Sequence, residues 1–100
     1  VSDADRQAPP GDGATLPGID FSTFVMSLSH SVLVHLGDAP DPDGNSSVHL
    51  ELARQTIDLI ALLQDKTRNN LTGSEEHLLE QALYDLRLRF VEVSKSRPDA

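Results

Sequence analysis

Apolar residues recur at helical spacing in three stretches of this chain, and polar segments rich in Pro and Gly separate them. The central stretch, Leu50–Thr67, organises the rest. At about 100° per residue its apolar arc runs from Ala61 through Leu50, Ile57, Ala53, Ile60, Thr56, Leu63 and Leu52 to Leu59, roughly 200° of the circumference. An ordinary surface helix carries a stripe of about 100°. The width predicts a central helix with neighbours on two sides. Arg54, Asp58, Glu51, Asp65, Gln55 and Lys66 form its polar face, with Leu62 stranded among them and Gln64 stranded in the apolar arc.

The first helix begins at Asp20, a good N-cap acceptor, with Ile19 and Phe24 at the spacing of a hydrophobic staple. Phe21, Phe24, Val25, Leu28, Val32 and Leu36 make its main stripe, with His35 at the edge and Met26 and Leu33 on a separate smaller patch. Gly37 suits the left-handed position that ends a helix. The loop 37–47 follows, and Ser46 or Ser47 is the expected cap of the central helix. After Lys66, Asn69 or Asn70 can adopt a left-handed turn. Thr72 with Glu75 three residues on reads as a capping box that opens the third helix, which runs to about Val93. So short a connection makes helices two and three an antiparallel hairpin.

The third helix has two apolar faces. Leu78, Leu79, Ala82, Leu83, Leu86, Phe90 and Val93 form a long stripe, and Tyr84, Leu88 and Val91 lie on the opposite side at i, i+4, i+7 spacing. Asp85 and Arg89 form an i, i+4 pair in the favourable order. Two faces call for two neighbours, and the central helix supplies one. A core of this size is near the limit at which small folds recruit a disulfide, a metal or a second subunit. The expectation is a homodimer that draws on Tyr84, Leu88, Val91, Met26, Leu33 and Leu62; the competing reading is that they are scattered surface apolars.

Composition narrows the picture. There is no cysteine, hence no disulfide frame, thiolate nucleophile or cysteine-based zinc site. The net charge is −8, concentrated in residues 1–20 and in the loop 37–47. The remainder is nearly balanced and offers no basic footprint for nucleic acid and no basic amphipathic helix for a membrane surface. Phe24–Leu36, the longest apolar run, falls short of the ~20 residues that span a bilayer, and no basic segment precedes it. Residues 1–18 lack periodicity and concentrate Pro, Gly, Asp and Ala, the composition of a disordered arm. The expected layout is that arm, a helical domain over 19–94 and a flexible C-terminus over 95–100.

Candidate chemistry is thin. Asp41-Pro-Asp43-Gly44-Asn45 suggests a calcium loop, yet with Gly44 at position 6 or Asp41 at position 1 the bidentate twelfth ligand falls on Leu50 or Leu52. A turn built on Asp and Pro explains the residues better. His30, His35, His49 and His77 are the only imidazoles, and His30 and His35, five apart, share no helical face. Ser29-His30-Ser31 sets hydroxyls beside an imidazole in sequence only, since adjacent helical residues point about 100° apart. Neither a nucleophile elbow nor a phosphate-binding glycine loop occurs. The residues therefore argue against an enzyme without excluding one, and they call for no cofactor and no metal.

Taken together, Phe21-Ser-Thr-Phe24-Val, Val34-His35-Leu36-Gly37, Pro40-Asp-Pro42, Leu50 to Leu59, Lys66-Thr67, Asn70-Leu71-Thr72 with Glu75-Glu76, Leu78-Leu79 and Leu86-Arg87 resemble a small bacterial family, domain of unknown function 1844. The resemblance runs over about residues 20–93. It implies a small, helical, bacterial and cytoplasmic protein and brings no catalytic residue. Gly73 departs from it, where a better helix former is expected.

The fold expected is all-α: a hairpin of helices two and three with helix one packed against it. The leading function is a self-associating protein-interaction module without catalysis. The alternative is a small-molecule or metal-binding subunit with a pocket between helices one and two, its polar lining made of His35, Thr56 and Gln64, which interrupt otherwise apolar faces.

Overall fold

The computed structural model describes residues 20–96. The expected arm, Ile19 of the staple and the last four residues lie outside that range. Three helices make up the fold, and no strand occurs among the described residues: α1, Phe21–His35; α2, Leu50–Lys66; and α3, Gly73–Lys95. Each helix packs on both others, and α2 and α3 form the hairpin.

The caps explain where the helices begin and end. The Asp20 carboxylate accepts from the Thr23 N–H at 2.7 Å, and that bond holds its pKa below the usual carboxylate value. Gly37, at φ +82°, closes α1. Its N–H donates to Val34 O at 3.0 Å and the Asp38 N–H donates to Leu33 O at 2.9 Å, the paired bonds of a Schellman ending. A Cβ at Gly37 would also meet Val48 Cγ2 at 3.0 Å, so both conformation and space call for glycine. Asn69, at φ +71°, makes the turn before α3. At Thr72 both halves of the capping box are present: Glu75 N donates to Thr72 Oγ1 at 3.1 Å and Thr72 N donates to Glu75 Oε1 at 2.9 Å. Gly73 occupies the first position of α3, where its flexibility costs little. The helix runs two residues past Val93, to Lys95.

The start of α2 differs from expectation. His49, not Ser46 or Ser47, is the N-cap, and no side chain caps the helix. The Ser47 hydroxyl instead meets His49 Nε2 at 3.0 Å. A tertiary bond takes over the anchoring: the His49 N–H donates to His35 O at 2.6 Å and ties the start of α2 to the end of α1.

The core is apolar and drawn from all three helices. Val25, Val32 and Leu36 come from the α1 segment, Ala53, Ile57 and Ile60 from α2, and Leu79, Leu83, Leu86 and Val93 from α3. Side chains buried to this degree are worth about 1.5–3 kcal/mol each for the larger aliphatics. No polar side chain among the described residues is fully buried. The wide arc of α2 is only partly covered. Its centre, Ala53, Ile57 and Ile60, is buried and Leu63 packs at the margin, while Leu52 and Leu59 remain about half exposed, at 46% and 49%. Phe24 of the α1 stripe is similarly open.

Candidate functional site

The second face of α3 stays uncovered. Tyr84, Leu88 and Val91 expose 65%, 50% and 46% of their surface. With Leu83 as floor and Gln64 and Arg87 at the sides, they line an open hollow of about 470 Å³ between α3 and α2. The Cβ vectors of i, i+4 and i+7 residues point to one side of a helix, which is why these three are contiguous. Three of the six residues expected to associate are thus brought together in one patch on α3.

The remaining three candidates fall elsewhere. Met26, exposed, and Leu33, partly buried, line a separate hollow of about 430 Å³ between α1 and α3. Its floor is Leu78, Ala82 and Leu86, and Asp38 and Arg89 stand on its rim. Leu62 projects from α2, 53% exposed.

The polar lining expected between helices one and two does not converge. His35 faces a hollow formed with Val34, Asp41 and Pro42 at the end of α1. Gln64 lies on the α2–α3 side beside Tyr84. Thr56 lines neither hollow, and its hydroxyl donates to Leu52 O at 3.0 Å within α2. Helical periodicity places Thr56 and Gln64 on the arc of α2, but it cannot say which neighbour each edge of the arc meets.

Electrostatics centre on one ion pair that sequence spacing concealed. Arg89 donates from Nε to Asp38 Oδ2 at 2.7 Å and from Nη2 to Asp38 Oδ1 at 2.9 Å, a bidentate clasp between the end of α1 and α3. Arg89 Nη1 adds a bond to Glu92 at 3.1 Å. The guanidinium hydrogen bonds hold the Asp38 carboxyl below its usual range, and the two carboxylates raise the pKa of Arg89 further. Asp85, the expected partner, accepts from Gln81 instead. The pair is 51 residues apart, and a separation of that kind leaves no periodic signal.

The loop between α1 and α2 is organised by its own Asp. Asp41 Oδ1 accepts from the N–H groups of Asp43 and Asn45, each at 2.9 Å, which is turn chemistry. Among the described residues no group of three or more His, Cys, Asp or Glu is placed to hold a metal ion. No described helix is long and apolar enough to cross a membrane.

The model of a family described as domain of unknown function (DUF1844) matches residues 18–92. The chain belongs to that family. The match spans all of α1 and α2 and all but the last turn of α3, so Tyr84, Leu88 and Val91 all lie inside the family domain. No curated protein and no solved structure matches the chain.

Proposed function

We propose that this domain is a non-catalytic, self-associating protein-interaction module, and that the Tyr84–Leu88–Val91 face of α3 is its docking surface. One observation carries the reading: three large apolar side chains, about half or more exposed, form a continuous patch over an apolar hollow instead of scattering singly. A Tyr among aliphatics is the composition from which interface hot spots are built. The domain is also small enough for a second subunit to add useful burial. The setting that accompanies this reading is a bacterial cytoplasm, which a cysteine-free chain suits.

The test compares wild type with Leu88→Asp by sedimentation equilibrium across micromolar concentrations, with far-UV circular dichroism as the folding control. A charge on this face should weaken self-association more than about tenfold, since burying it unpaired removes well over 1.4 kcal/mol. The helical signal should be unchanged, because Leu88 is half exposed. A wild-type protein that remains monomeric at full helicity rejects the reading.

A further inference from the structure

The docking face of α3 carries charge as well as apolar surface, and the charge is polar along the helix. Glu80 lies one turn before Tyr84, and Lys95 lies one turn after Val91. On a helical projection of about 100° per residue both fall on the side of α3 that bears Tyr84, Leu88 and Val91. Both are exposed. Among the described residues neither makes an ion pair, and nor does Arg87, which lines the same hollow, whereas Arg54, Arg68 and Arg89 all do. An acid at one end and a base at the other, with apolar residues between, is a self-complementary strip if it is turned end for end.

We propose that the occupant of this face is the same face of a second copy, antiparallel about a two-fold axis that passes between Arg87 and Leu88. This rests on the reading of α3 as the docking surface and fixes its partner and orientation. Two-fold contacts are isologous: if residue i meets residue j, then j meets i. About this axis Tyr84 and Val91 are equally distant in sequence, as are Glu80 and Lys95. The Tyr84 ring of each copy therefore lies across from Val91 of the other. Glu80 and Lys95, each about 11 Å along the helix from the axis at 1.5 Å per residue, face one another twice. Leu88 sits beside the axis, where the apolar contact is most enclosed. Arg87 stands at its edge and is long enough to turn its guanidinium into water. A parallel pairing has the opposite electrostatics, with Glu80 against Glu80 and Lys95 against Lys95, and like charges across an interface oppose association.

Charge reversal separates these arrangements. Sedimentation equilibrium at low salt on wild type, Glu80→Lys, Lys95→Glu and the double variant Glu80→Lys/Lys95→Glu gives the readout. Circular dichroism confirms helicity, and Glu80→Gln and Lys95→Gln serve as neutral controls. Each single reversal turns two attractive pairs into two repulsive ones and should weaken the dimer by about tenfold. The double variant should return to within about twofold of wild type, and high salt should shrink all the differences. If the single reversals leave association unchanged, or the double variant fails to recover, the antiparallel arrangement is wrong. When that happens while Leu88→Asp still dissociates the dimer, the docking face stands and only its orientation falls. Wild type that never self-associates removes both.

Discussion

At the scale of single residues, the Asp38–Arg89 clasp is the contact with the clearest measurable consequence. Asp38 follows the glycine that ends α1, so its backbone is fixed by the Schellman bonds and its carboxylate is delivered to α3. The folded protein holds its pKa below the ordinary value near 3.8. A depressed carboxylate pKa stabilises the fold above the unfolded value, and that contribution fades as pH falls through the folded one. Arg89→Ala should therefore destabilise the fold at neutral pH, through loss of a partly exposed bidentate pair. As pH falls below that ordinary value the carboxylate protonates, and the variant and wild type should converge. Thermal melts across that range, with NMR titration of the Asp38 carboxyl, check both parts: in the variant the titration should move up to the ordinary value. The pairing was not legible in the sequence because Asp85, four residues before Arg89, offered a local partner. Tertiary placement of Asp38 outcompeted it by presenting both carboxylate oxygens, one to Nε and one to Nη2.

At the scale of elements, local chemistry succeeded wherever the helix end was solved locally. Asp20, Gly37, Asn69 and the Thr72–Glu75 box all do what their sequence context predicts, because each satisfies free backbone groups within three or four residues of itself. The start of α2 is the exception, since a bond from His49 to the end of α1 replaced a serine cap. This contrast gives a paired prediction. Thr72→Ala should destabilise the domain by about 1 kcal/mol, the usual value of an N-cap side chain. Ser47→Ala should change stability by less than about 0.5 kcal/mol, because its hydroxyl meets only an exposed His49 ring. Urea unfolding followed by circular dichroism measures both, and equal losses would mean that Ser47 caps α2 in solution.

At the scale of the whole molecule, the question is how much apolar surface three helices can cover. The arc of α2 is roughly 200° wide by its sequence, but two neighbours seated on adjoining sides hide only its centre and one margin. Ile60 and Leu59 make the division measurable, since they are neighbours of equal size and one is fully buried while the other is 49% exposed. Ile60→Ala should cost about 2–5 kcal/mol through lost burial and a cavity. Leu59→Ala should cost under about 1 kcal/mol in the monomer, and chemical denaturation at low protein concentration tests the difference. The sequence by itself determined the three helices, most of their ends, the hairpin and the second apolar face of α3, because each is written in periodicity or in contacts only a few residues apart. Only the tertiary structure decided which edge of α2 stays open, that Gln64 stands beside Tyr84 and apart from His35, and that Asp38 closes on Arg89. Those outcomes depend on how rigid helices seat against one another. Helical periodicity states which residues share a side, but it carries no information about the rotation and offset at which a neighbouring helix meets that side.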